Sequence, residues 1–147
     1  MKMPRSSRTT GYCIGIGDLG AFYSKSTKQQ LVATSTHAEV KALYQFAVDL
    51  IFIINLCDEI ERSINLPVVI FDDNNPNVQL SGSLSSRVKR STHFLMLVNF
   101  IRQYVSLGLI EVQKVAPEDK IADVLKKTLA WKDFGRKARR LLGLLLS

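Results

Sequence analysis

The chain has 147 residues, of which 46% are hydrophobic and 22% are charged, so a compact α/β domain is expected and wholesale disorder is not. Its formal net charge of +7 favours a polyanionic partner, either nucleic acid or an anionic membrane surface. The alternative is a basic surface without a partner. Cys13 and Cys57 lack metal-ligand spacing and indicate small buried side chains in a reducing compartment, cytoplasmic or nuclear.

Membrane and secretory segments are not expected. Residues 1–10 are basic but contain no apolar run, which excludes a secretory signal in this stretch. The strongest apolar stretch, residues 50–56, lies between Asp49 and Asp58. It is much shorter than the roughly 20 apolar residues that a membrane span requires. We therefore predict that it belongs to a buried helix and that the chain has no membrane partner.

The first third of the chain predicts a hairpin followed by a long helix. Residues 1–10 are expected to be loose, and strands over 12–16 and 21–24 flank a Gly-Asp-Leu-Gly turn. Thr36 and Glu39 have the spacing of a capping box, so the helix should begin at Thr36 and run to about Arg62. Its predicted buried positions follow at helical spacing: Val40, Leu43, Ala47, Leu50, Ile51, Ile54 and Cys57.

The rest of the chain alternates between strands and helices. Residues 68–71 form a continuous apolar run typical of a buried strand, followed by a turn cluster. The remaining predicted elements are a short helix over 76–81, a basic loop over 81–90, a helix over 94–106 stopped by Gly108, a strand over 109–115 and helices over 117–127 and 131–145. This order predicts an α/β sandwich.

The C-terminal helix is expected to dock with a charged outer face. The predicted outer residues are Lys132, Arg136, Lys137, Arg139 and Arg140, and the predicted packing residues are Phe134, Ala138, Leu141 and Leu142. This pattern favours a docked helix over a membrane anchor. The predicted organisation is a loose N-terminus over 1–10, a domain over 11–128 and the basic amphipathic helix over 129–147.

Several segments, taken in order, match one family signature. Residues 31–43, LVATSTHAEVKAL, are similar to the family pattern VALSSTEAEYxAL, and residues 121–127, IADVLKK, are similar to LADILTK. Further matching segments are residues 10–12 with 23–30, residues 70–74, residues 90–94 with 100–102, and residues 142–144. The chain thus resembles the ribonuclease H domain of copia-type LTR retrotransposon Pol polyproteins, in a truncated and divergent copy.

The resemblance implies a fold, a reaction and a metal. The expected fold is a ribonuclease H-like mixed sheet flanked by helices, with the first strand missing here. The expected reaction is two-metal hydrolysis of RNA in RNA–DNA hybrids, with Mg²⁺ held by clustered carboxylates. The implied catalytic and metal-ligating residues are Glu39, Asp73 and Asp123, which should meet at one edge of the sheet. The expected partners are the hybrid or another nucleic acid and an upstream reverse transcriptase segment.

Each of these carboxylates also has a structural explanation. Glu39 suits a capping box. One of Asp72 and Asp73 suits a turn after the strand, and the resemblance selects Asp73 because it precedes Asn74. Asp123 suits the first turn of a helix, where the helix dipole favours an acidic side chain.

The basic residues expected to contact substrate phosphates are Arg87, Lys89, Arg90, His93 and Arg102. Their alternative role is that of a solvated basic surface, and a histidine such as His93 more often packs or hydrogen-bonds than catalyses.

The chain also departs from the family pattern. The family's first carboxylate lies on the opening strand, whereas here no carboxylate precedes Asp18. Thr92, Leu95 and Lys126 stand where the family has Lys, Asp and Thr, and Tyr23 stands in place of Trp. The expected function is therefore an impaired ribonuclease H-like domain. The alternative is a catalytically dead remnant that acts at most as a nucleic-acid-binding module.

Overall fold

The computed structural model describes residues 8–15, 20–29, 35–74, 78, 81 and 92–144. Within this part the chain is mixed α/β, with three α-helices and two sheets of two strands each. The α/β class expected from the element order is therefore confirmed. Contacts divide the chain into two compact units, one made of Met1–Ala33 with Ala116–Ser147 and the other of Thr34–Val115.

The first unit opens with an antiparallel hairpin. Strands β1 (Arg8–Gly15) and β2 (Ala21–Gln29) pair along their length, with a bulge between Ile14 and Gly15. Tyr12 and Ile14 alternate along β1 and are buried, which is the period of a strand with one packed face. The predicted pair of strands is confirmed, but β1 begins four residues earlier than expected and β2 ends five residues later.

Helix α1 (Ser35–Glu59) opens the second unit. The predicted stripe is confirmed as buried except at Cys57, which is half-buried. The stripe packs against a second helix, Thr92–Ser106, through a buried cluster in which Val40 contacts Phe94, Leu97 and Val98. By length and composition alone, Thr36–Glu59 is also long and apolar enough to cross a membrane. Buried core helices of soluble proteins meet the same criteria.

The turn that follows helix α1 contains a residue with strained backbone geometry. Glu61 has φ of 56°, and the N–H groups of Glu61 and Arg62 donate to the carbonyls of Asp58 and Cys57 at 3.0 and 2.8 Å. These two bonds form a Schellman motif, whose left-handed residue is usually glycine. A side chain in this conformation costs about 1 kcal/mol, because its Cβ approaches the following carbonyl oxygen.

Glu61→Gly should therefore raise the free energy of unfolding by about 1 kcal/mol, as measured by urea denaturation followed by far-UV circular dichroism. The matched control is Glu59→Gly, in the last helical residue, which should lower it by up to about 1 kcal/mol because glycine disfavours helix. Effects of the same sign in the two variants would contradict the assigned geometry of this helix end.

A parallel strand pair completes the second unit. Strands β3 (Val68–Asp72) and β4 (Ile110–Lys114) pair in parallel, joined by helix α2 (Thr92–Ser106) as parallel strands require. Gly108 ends α2 as predicted: its φ is 69°, and the next residue, Leu109, donates to the carbonyl of Tyr104 at 3.1 Å. The predicted helix over 76–81 and loop over 81–90 lie outside the described residues apart from positions 78 and 81.

The predicted helix over 117–127 is wrong. Two short 3₁₀ helices, Pro117–Asp119 and Ile121–Leu125, take its place. Lys120 between them is extended, with φ of −71° and ψ of 98°, so hydrogen bonds of the α-helical type cannot run across it. The second 3₁₀ helix packs against β1, where the Ser26 hydroxyl of the adjacent strand donates to the Leu125 carbonyl at 2.7 Å.

Helix α3 (Trp131–Leu141) packs on this second 3₁₀ helix within the first unit. Its packed face differs from the predicted one. Ala138 and Leu141 are half-buried as expected, but Phe134 and Leu142 are exposed. Lys137, predicted on the outer face, is instead buried, because its ammonium group is paired with a buried carboxylate described below.

Both cysteines are free thiols and half-buried, so the expectation of fully buried side chains is only partly met. Burial raises the pKa of the Cys13 thiol above its usual value. The reactive thiolate form of Cys13 is therefore disfavoured.

Candidate functional site

Asp123 is the most deeply buried of the candidate carboxylates, with 1% of its surface exposed. Three ammonium groups surround it. Lys126 lies 3.1 Å from its Oδ1, and Lys127 and Lys137 lie 2.8 and 3.3 Å from its Oδ2. Lys137 also donates to the carbonyl oxygen of Pro117 at 2.9 Å. The carboxylate thus links α3 to the 3₁₀ segment through charge-assisted hydrogen bonds.

The lysines decide the ionisation of Asp123. Burial of the carboxyl raises its pKa, but hydrogen bonds from Lys127 and Lys126, together with their charges, more than offset this effect. The net result is a pKa below the usual value for aspartic acid. The group is therefore an anion near neutral pH, and its charge is already compensated within the first unit.

Glu39 lies in the second turn of α1, between the buried residues Ala38 and Val40. Because α1 begins at Ser35, the predicted cap Thr36 lies inside the helix. With these bounds Thr36 is not the N-cap residue that the predicted capping box requires. The side chain is half-buried, and its Oε2 atom is shielded from solvent. A half-buried carboxylate on a core-facing turn suits a ligand for a hard cation.

The two aspartates after β3 differ in their surroundings. Asp72 shares the buried face of the strand with Ile70, whereas Phe71 between them is exposed. Asp72 also accepts a hydrogen bond from the backbone N–H of Asn74 at 3.0 Å, so it is the residue that forms the turn. Asp73 follows the strand and is half-buried. It lies at the carboxyl end of a parallel strand, where open α/β sheets place ligands.

His93 lies near the start of α2, and the sequence reasoning missed its neighbour. The side chain is exposed, and its ring centroid lies 5.7 Å from that of His37 on α1. His37 also contacts Phe94 edge to face at 5.8 Å. The two histidines stand near the first turns of neighbouring helices, and this shared position was the only sequence signal that could have paired them.

The other predicted substrate contacts are placed only in part. Arg102 is half-buried on α2, nine residues from His93. That separation corresponds to about 13 Å along the helix and half a turn around it. The two side chains would therefore reach different parts of a substrate. The basic loop residues Arg87, Lys89 and Arg90 lie outside the described residues.

The convergence of Glu39, Asp73 and Asp123 stays a prediction, because Glu39 and Asp73 belong to the second unit and Asp123 to the first. Among the described residues, no group of three or more His, Cys, Asp or Glu side chains is arranged to hold a metal ion.

Comparisons with known proteins connect the chain to mobile elements. It is 31% identical over 134 residues to the retrovirus-related Pol polyprotein from transposon RE2 of Arabidopsis thaliana, and 29% identical over 134 residues to that from transposon RE1. Each match covers 88% of the chain but only 9% of the length of the relative. No protein-family model matches the chain. No solved structure matches it either. The chain is thus homologous to a short segment of retrotransposon Pol polyproteins, which supports a retrotransposon Pol origin.

Proposed function

We propose that the chain is a ribonuclease H-like domain of retrotransposon origin, with a mixed sheet flanked by helices, acting on the RNA strand of RNA–DNA hybrids. The observation that carries the proposal is the homology of 88% of the chain to transposon Pol polyproteins. By the resemblance of the surrounding motifs, the carboxylates of such a site would be Glu39, Asp73 and Asp123. Such a domain would work in the cytoplasm or nucleus, beside the reverse transcriptase segment of a polyprotein.

Glu39, in the second turn of α1, and Asp73, directly after β3, suit a magnesium site in their chemistry, because both are half-buried carboxylates and Mg²⁺ prefers hard oxygen ligands. When bound, Mg²⁺ would activate the attacking water and stabilise the leaving oxygen. Asp123 fits less well. Its two oxygens already face three lysine ammonium groups within 3.3 Å, which a divalent cation would have to displace.

The surroundings of Asp123 predict weak catalysis. Its charge is already compensated by three lysine ammonium groups, so it would be a poor ligand for Mg²⁺. The same feature favours the second candidate function, a catalytically dead remnant that only binds nucleic acid.

The test is cleavage of a labelled RNA–DNA hybrid with Mg²⁺. We expect little or no cleavage by the 147-residue chain and more by a version extended upstream to include a first-strand carboxylate. In the extended version Asp73→Asn should abolish cleavage, whereas the exposed Asp133→Asn should not.

Each result of this assay separates the two functions. Robust cleavage by the 147-residue chain that is lost in Asp73→Asn would contradict the predicted impairment but support ribonuclease H activity. Inactivity of the extended version would favour the binding remnant. Binding of the hybrid should weaken steeply with salt in either case, because each neutralised phosphate releases condensed counterions. An affinity that stayed constant between low and moderate salt would contradict both functions.

A further inference from the structure

Helix α3 presents an exposed aromatic side chain. Trp131, the first residue of the helix, is 84% exposed, more than any other large hydrophobic side chain in the described part of the chain. Its ring stacks on Phe134, with centroids 6.4 Å apart and an interplanar angle of 24°. The Phe134 ring braces one side of the indole, and the extensive exposure of Trp131 leaves much of its surface open to a flat ligand.

The surface beside the indole is open. Trp131, Gly135 and Arg139 follow one another at four-residue spacing, so they lie along one face of α3. A Cβ atom built on Gly135 would meet nothing within 4 Å. The helix therefore leaves room next to the indole for a planar group, with a cation one turn further along.

Two cationic side chains on this face of α3 are available to bind a ligand, whereas two others on the helix are already paired. Arg136 bonds to the Glu118 carbonyl, and Arg140 pairs with Asp119. In contrast, the side chains of Lys132 and Arg139 are exposed and make no hydrogen bond or ion pair with any described residue. We call the surface formed by Trp131, Lys132, Gly135 and Arg139 the tryptophan face.

We propose that the tryptophan face binds single-stranded nucleic acid, with a base stacked on Trp131 and phosphates paired with Lys132 and Arg139. An aromatic ring beside cations matches the alternation of bases and phosphates along a single strand. A duplex keeps its bases stacked on one another and offers none to the ring. The site is distinct from the carboxylates of the proposed function and does not depend on metal or on cleavage.

Charge and composition favour nucleic acid over a lipid surface. The half-buried apolar residues of α3, Ala138 and Leu141, point towards its packed side. Even with the adjoining exposed Phe134, this face of α3 has only two aromatic residues beside a glycine and two cations, so it lacks the continuous apolar stripe that inserts into a bilayer.

The fluorescence of Trp131 gives a direct test, because it is the only tryptophan in the chain. The intact chain would be titrated with an oligothymidylate of about 16 nucleotides. We expect saturable quenching of Trp131, and much weaker quenching by a duplex of the same length. Absence of quenching by the single strand, or equal quenching by the duplex, would overturn the proposal.

Variants separate stacking from general charge attraction. With a labelled oligonucleotide followed by anisotropy, Trp131→Ala should weaken binding about 5- to 150-fold, and Lys132→Gln with Arg139→Gln should also reduce its salt dependence. Phe52→Ala and Arg62→Gln, which alter exposed residues of the other unit, should leave binding nearly unchanged. Equal losses in test and control variants would overturn the proposal.

Vesicles supply the remaining comparison. Vesicles of phosphatidylcholine with one third phosphatidylserine should leave the emission of Trp131 nearly unchanged. A blue shift with these vesicles, without quenching by the oligonucleotide, would assign the face to membranes and overturn the proposal. Circular dichroism would confirm that the exposed substitutions leave the fold intact.

Discussion

Asp123→Asn should lower the free energy of unfolding by about 3–5 kcal/mol, the usual cost of removing one partner from a buried ion pair. Asparagine has nearly the same shape, so the loss would come from charge. The buried ammonium of Lys137, 5% exposed, would then face a neutral amide, with Lys126 and Lys127 close by. Urea denaturation followed by far-UV circular dichroism measures the effect.

The matched control is Asp133→Asn, which removes an exposed ion pair with Arg136 at 3.5 Å. Pairs of this kind contribute about 0–1 kcal/mol, because water screens the charges and two long side chains must be ordered. Similar losses in Asp123→Asn and Asp133→Asn would mean that the lysine cluster does not hold the first unit together.

Acidification should reproduce part of this loss. The pKa of Asp123 is lowered from 3.8, so the folded chain binds a proton at this group less readily than the unfolded chain. Its contribution to stability is therefore present above pH 3.8 and is lost as the pH falls through the lower pKa of the folded state. The Asp123→Asn variant should lack this component. An identical pH profile for both proteins would contradict the assignment.

Local sequence signals anticipated the elements whose structure depends on neighbours along the chain. The apolar stripe of α1 and the glycine that ends α2 at Gly108 are local patterns, and both occur as predicted. The segment after Pro117 also carries a good helix-start signal. It failed as a predictor because Lys120 is extended, and a pattern of residue types does not reveal such a break.

The candidate site also has features that local patterns predicted and features that depend on distant residues. Strand alternation placed Asp72 and Asp73 on opposite faces, and the structure buries Asp72 beside Ile70. Lys126 and Lys127 are local partners of Asp123, but the sequence could not reveal its buried partner, because Lys137 lies 14 residues away on another helix. Amphipathic patterning assigns a lysine to solvent, yet a paired lysine can be buried. The contacts that would bring the three family carboxylates together are equally non-local, so their convergence stays a prediction.

Gly20→Ala should lower the free energy of unfolding by about 2–5 kcal/mol, which combines left-handed backbone strain with overpacking. Gly20 has φ of 87°, a conformation that glycine adopts without strain. A Cβ atom here would lie 2.4 Å from the backbone nitrogen of Gly143 and 2.7 Å from its Cα. Neither neighbour is a flexible side chain, so the backbone itself would have to shift.

Gly135→Ala is the matched control and should act in the opposite direction. Its Cβ would meet open space, and alanine favours helix over glycine by up to about 1 kcal/mol, so urea denaturation should show a small gain. If Gly20→Ala left stability unchanged, the residue before β2 would not pack against the residues that follow α3. A large loss would show instead that the C-terminal residues, predicted as a segment of their own over 129–147, form a structural part of the unit that contains the hairpin.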